Sequence, residues 1–141
     1  MKIRITKIRP DIELPQYKTT GAVAFDLAAA EDTTVAPRQI ALVPTGLIIA
    51  TPRGYALIIA ARSSTPIKKG LTLPHGIGII DQDYAGPDDE LKIQVYNFTD
   101  APVIILKNER IAQGFFIPIA RAEWEEGAPE ETSRGGFGST G

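Results

Sequence analysis

Gly46-Leu-Ile-Ile-Ala50 and Ala56-Leu-Ile-Ile-Ala60, with Thr51-Pro-Arg-Gly-Tyr55 between them, decide the fold class. Both runs are apolar and rich in isoleucine, and both are too short for an independent helix. Pro52 and Gly54 break the chain between them. Two buried strands joined by a connection is the reading that fits. The same pattern repeats outward in both directions. Ile3 and Ile5 alternate with Lys2, Arg4 and Thr6, and Leu91, Ile93 and Val95 alternate with Lys92, Gln94 and Tyr96. Val103-Ile-Ile-Leu106 and Phe115-Phe-Ile-Pro-Ile119 follow, with Gly, Pro, Asn or Asp between most segments. Eleven prolines in the first 129 residues leave little room for a long helix. The chain therefore reads as all-β, many short strands in a sandwich or barrel. Ala24-Phe-Asp-Leu-Ala-Ala-Ala-Glu-Asp32 has helix-favouring alanines. Its threonine-rich flanks favour a strand running into a turn.

A length of 141 residues suits one domain. With 43% hydrophobic and 23% charged residues the composition is that of a globular protein, not a disordered one. The absence of cysteine excludes disulfides, cysteine nucleophiles and Cys-rich zinc sites, and a single histidine excludes a His₂ or His₃ site within one chain. No signal-type N-terminus and no apolar run near 18 residues is visible, so the expected compartment is the cytoplasm and no membrane contact is expected. The net charge of −2 hides an asymmetry. Glu123, Glu125, Glu126, Glu130 and Glu131 are five of the 17 acids, and without them 15 bases face 12 acids. A mildly basic body suits an anionic small molecule and is too weak to argue for nucleic acid.

Four segments have the residue types for chemistry. Ala61-Arg-Ser-Ser-Thr-Pro-Ile-Lys-Lys-Gly70 sets hydroxyls beside cations and can hold phosphate, or can be a solvated turn. His75-Gly-Ile-Gly-Ile-Ile-Asp-Gln-Asp-Tyr-Ala-Gly86 combines glycines that permit close backbone approach with Asp81 directly after two isoleucines. A hairpin whose carboxylates cap the turn accounts for it equally well. Gln113 lies in a strand-like stretch where a polar side chain needs a partner. The stretch 127–141 has five glycines and cannot build a core, which divides the chain into a β body (1–126) and a Gly-rich arm (127–141). Arg134 and Phe137 in that arm pair a cation with an aromatic face.

Ala24-Phe-Asp-Leu27, Arg62-Ser-Ser64, Gly78-Ile-Ile-Asp-Gln-Asp-Tyr-Ala-Gly86, Glu109-Arg-Ile-Ala-Gln113 and Arg134-Gly-Gly-Phe-Gly-Ser-Thr-Gly141 resemble, in order, the five motifs of the homotrimeric dUTP diphosphatases (dUTPases). The resemblance runs from about residue 15 to the C-terminus. It implies a jelly-roll-like β-clip subunit, a trimer with shared active sites, and hydrolysis of dUTP to dUMP and pyrophosphate with Mg²⁺. That reaction limits uracil in DNA and supplies dUMP for thymidylate synthesis. By motif position the resemblance makes Asp81 the carboxylate that orients the attacking water. Tyr84 becomes the ring under the deoxyribose, and His75 to Asp81, with Gly78, Ile79 and Ile80, the segment that reads uracil. Arg62, Ser63, Ser64 and Gln113 become phosphate contacts, and Asp26 an acid that meets Mg²⁺ through water. Lys92 falls at a substrate-side position. In the arm, Phe137 with Gly138 would cover uracil, while Arg134 and Ser139 would meet the outer phosphates.

Three departures stand out. Arg134 and Phe137 are closer together than the family pattern has them. Gly86-Pro-Asp-Asp-Glu-Leu-Lys92 makes a longer loop, and His75 replaces a smaller or amide residue. The related dCTP deaminases share the fold and an Arg-Ser-Ser motif, but their chemistry needs a glutamate where this chain has Gln94, which cannot exchange a proton that way. A non-catalytic nucleotide-binding module is the other alternative. It would be expected to have lost Asp81 or the arm, and both are present.

Overall fold

The computed structural model describes residues 1–129, 132, 133 and 135. Arg134, Phe137, Gly138 and Ser139 lie outside the described residues. Eleven strands and one short helix follow in the order β1 (Ile5–Lys7), β2 (Phe25–Ala28), β3 (Thr33–Val35), β4 (Ile40–Pro44), β5 (Leu47–Ile49), β6 (Tyr55–Ala61), α1 (Ser64–Lys69), β7 (Leu71–Thr72), β8 (Gly78–Ile80), β9 (Lys92–Asn97), β10 (Val103–Ile105) and β11 (Arg110–Pro118). They form sheets ordered β2-β11-β6-β8, β4-β9-β7, β1-β5 and β10-β3, and every pairing is antiparallel. This is the all-β architecture of short strands that the runs predict, in the jelly-roll-like form that the resemblance implies. No helix among the described residues is long and apolar enough to cross a membrane.

The two deciding runs become β5 and β6. β6 lies between β11 and β8, and Ala56 to Ile59 are all buried, as a continuous apolar run requires of a central strand. β9 keeps the expected alternation, with Ile93, Val95 and Asn97 inward and Lys92, Gln94 and Tyr96 less buried. Residues 25–28 are a strand, as their flanks indicate. β4 escapes the sequence pattern because Ile40 and Leu42 point outward and only Val43 is buried. Apolar residues thus lie on both faces, with Ala41 and Val43 inward, and hide the two-residue period. The helix α1 is also unforeseen. Pro66 argues against it by composition, but sits in the first turn, where the missing N–H has no intrahelical acceptor. Gly70 ends α1 at φ 66°, and a side chain there would overlap Thr99.

Asn97 closes the turn after β9. Its Nδ2 donates to the carbonyls of Val35, Ala36 and Ala101 at 3.0, 3.2 and 2.8 Å, and its Oδ1 accepts from Thr99 N and Oγ1 at 2.9 and 2.7 Å. The residue is fully buried, so no water can replace these partners. Asn97→Ala is expected to destabilise the fold by about 3 kcal/mol, seen as a lower denaturant midpoint with the slope unchanged. An unchanged midpoint would show that the turn stands without it.

Candidate active site

Asp26, Arg62, Gln113 and Arg110 share one face of the β2–β11–β6 strands. The register explains why. Gln113 lies opposite Asp26 on one side and Ala60 on the other, and directly paired residues share a face. Arg62 follows Ala60 by two residues and so continues that row. Arg110 would belong to the opposite face in a regular strand. A bulge between Arg110 and Ala112 shifts the register, pairs Arg110 with Ala28, and brings it round to the side of Asp26.

The resulting polar cluster is closely bonded. Arg62 Nε lies 2.8 Å from Asp26 Oδ1, and Arg110 Nη1 lies 2.8 Å from Asp26 Oδ2. Arg62 Nη1 also donates to the Arg110 carbonyl at 3.0 Å. The Asp26 side chain is only 14% exposed, so these two guanidiniums replace most of its water. One carboxylate against two guanidiniums leaves a net positive charge. Gln113 Nε2 donates to the Ala61 carbonyl at 3.0 Å, which leaves its Oε1 and one N–H for a ligand. Ser63 is exposed at the start of α1, and Ser64 lines a cleft of 380 Å³ with Arg62, Lys68, Asn108 and Arg110. Two hydroxyls, an amide and a partly free guanidinium are a phosphate-binding set.

The second group lies around β8, which pairs with β6 rather than with a strand of its own hairpin. Gly78 is buried, and a side chain on it would meet Ile59 at 3.2 Å and His75 Nε2 at 3.7 Å. Ile79 is exposed, Ile80 is half-buried opposite Leu57, and Asp81 leaves the strand into solvent. Asp81 lines a cleft of 510 Å³ with Tyr55, Gln82, Asp83, Ile119 and Arg121. Tyr84 is 41% exposed, and its hydroxyl donates to the Glu90 carbonyl at 3.1 Å. The long loop after it is well tied. Asp89 Oδ2 accepts from Gly86 N at 2.6 Å, and Glu90 Oε1 accepts from Gly46 N at 2.8 Å. Lys92 joins neither group, since it opens β9 in a separate cleft with Arg9, Glu31 and Glu90. Gln94 lies opposite Leu42 in the β4–β9 pair, away from both.

The two groups stand at opposite ends of β6. Register extended by one residue sets Asp81 opposite Ala56, and Arg62 follows the strand's other end. At about 3.4 Å per residue this separates them by roughly 20 Å. Arg110 and Glu90 are the two participants that sequence reasoning missed. Arg110 sits within the fourth motif, but only the bulge gives it its direction.

Fold and site together set a phosphate-binding face and an exposed carboxylate on an all-β body. The family model for dUTPase matches residues 10–141. The chain is 43% identical over 149 residues to the deoxyuridine 5'-triphosphate nucleotidohydrolase of Lactococcus lactis subsp. lactis (strain IL1403), covering 100% of this chain and 99% of that one. It is also 43% identical over 145 residues to the protein of the same name from Hydrogenobaculum sp. (strain Y04AAS1), with 100% and 99% covered. The crystal structure of dUTPase from Streptococcus mutans is similar with a TM-score of 0.78 at 35% identity, over 85% of this chain and 98% of that one. The chain belongs to the dUTPase family.

Proposed function

We propose that this enzyme hydrolyses dUTP at a composite site in which Asp81 of one copy meets the Arg62–Gln113 face of another. The observation that carries the reading is the separation of roughly 20 Å along β6. Reacting groups must lie within about 3–3.5 Å of one another, so the water-orienting carboxylate and the phosphate-binding face of a single chain cannot serve one phosphorus atom. A homotrimer, as the motif resemblance implies, supplies the missing half from a neighbour, and the arm (127–141) closes over the site from the body (1–126).

In this reading the nucleoside rests against Tyr84 and the β8 backbone, with the ring of Tyr84 held by Glu90. The triphosphate lies on Arg62, Ser63, Ser64 and Gln113. Asp81 orients a water, whose oxygen forms a new bond to the α-phosphorus while the bond to the α–β bridging oxygen breaks. Pyrophosphate leaves with that oxygen, and the water's proton passes to Asp81 or to solvent. Arg62 offsets the charge building on the leaving group. Deoxyribose selection comes from Tyr84.

The donor set suits Mg²⁺ brought by the substrate. Among the described residues no group of three or more His, Asp or Glu could form a cage for an ion. Mg²⁺ keeps several waters and binds chiefly through substrate phosphates, so none is required. Asp26 has both oxygens engaged by arginines, yet each keeps a lone pair for a metal-bound water. The bound ion would supply charge for the triphosphate.

Pyrophosphate release measured across dUTP, dCTP, dTTP and UTP tests the assignment. Turnover is expected for dUTP, with the others at least about 100-fold slower and with chelation of Mg²⁺ lowering the rate. Ammonia release from dCTP, or equal rates on all four, would overturn it.

A further inference from the structure

We infer that Arg110 is a positioning residue that keeps Arg62 available to phosphate by occupying the second oxygen of Asp26. The inference rests on the reading of Arg62 as a phosphate contact. A carboxylate beside a single guanidinium tends to pair with it through both oxygens, in a two-bond fork. Such a fork would take two N–H groups of Arg62 and much of its charge. Here Arg110 Nη1 holds Oδ2 at 2.8 Å, so Asp26 offers Arg62 only Oδ1, through Nε at 2.8 Å. The Arg110 carbonyl takes one Nη1 hydrogen at 3.0 Å and fixes the rotation of the guanidinium plane. Of five N–H groups on Arg62, three remain for a ligand. The pair of arginines also leaves the cluster with net positive charge, whereas Arg62 and Asp26 alone would cancel.

The bulge in β11 is what makes this possible. Without the register shift between Arg110 and Ala112, the Arg110 side chain would lie on the face opposite Asp26. Arg110 itself is 44% exposed, so its replacement leaves no buried group behind except Asp26, which keeps Arg62 as a partner.

A double-mutant cycle tests the inference. Arg110→Gln is expected to lower kcat/KM for dUTP roughly 10- to 100-fold, the scale of a displaced positioning group. Inhibition by dUMP, which lacks the leaving pyrophosphate, should stay within about twofold, and Arg110→Lys should recover most of the loss. In the Arg62→Gln background, adding Arg110→Gln should cost less than about twofold more, because the residue acts through Arg62. Costs that multiply in full would mean that Arg110 acts independently, and would overturn the inference. So would an Arg110→Gln enzyme as active as the parent, or one whose dUMP inhibition and thermal midpoint collapse together. An Arg62→Gln enzyme with normal kcat/KM would bring down the phosphate reading itself, and this inference with it.

Discussion

Asp81→Asn is expected to bind a non-hydrolysable dUTP analogue nearly as well as the parent and to lose about 10²- to 10⁴-fold in kcat, the range associated with a lost proton acceptor. That loss corresponds to about 3–5.5 kcal/mol of transition-state stabilisation. Asparagine keeps the shape and one acceptor oxygen, so the exposed turn at the end of β8 should be undisturbed. What it would lack, in the proposed mechanism, is the negative charge that turns the water's lone pair toward phosphorus. Isothermal titration and single-turnover rates separate the two effects. Near-parent turnover would show that another group orients the water. The same variant also probes the composite site. Co-expressed with Arg62→Gln, it should regain about a quarter of parent activity, since one site in four of a randomly mixed trimer draws an intact half from each variant. No recovery beyond the two parents' residual rates would place the whole site within one chain.

Truncation after Thr132 should lower kcat/KM by about 100-fold, the scale of losing groups that position substrate and exclude water. The molecular mass of the assembly should not change. Among the described residues the buried core cluster draws on residues from Ile12 to Ala112. Removing residues 133–141 takes away Arg134, Phe137, Gly138 and Ser139 and leaves every packed strand in place. Mass-determining chromatography beside the kinetic assay distinguishes the possibilities. A truncated chain that separates into monomers would make the arm a structural clasp, and one with parental kinetics would remove it from the site.

The strands were legible because their cause is local. A run such as Ala56 to Ala60 is apolar on both faces only if both faces are covered, and β6 is covered on both. The alternation of Ile93 and Val95 with Gln94 and Tyr96 likewise needs only the two-residue period of a strand. Asp81 and Tyr84 fall into one group for another reason: they lie in one contiguous motif. Asp26, Arg62 and Arg110 come from three strands' ends, and their clamp depends on register. No local pattern marks a bulge at Ile111, and a bulge reverses which face a side chain takes. The role of Glu90 was hidden in the same way. Its carboxylate reaches Gly46 across the chain, so the long loop is a brace for Tyr84.

β6 finally ties catalysis to mass action. If its two ends serve different sites, as the proposed composite site has it, a solitary chain holds two halves and no whole. Activity per chain then measures not only how well each group is placed but also how many chains are associated at the working concentration. Dilution would then be a form of inhibition, and substrate bridging two copies would favour the assembly that consumes it.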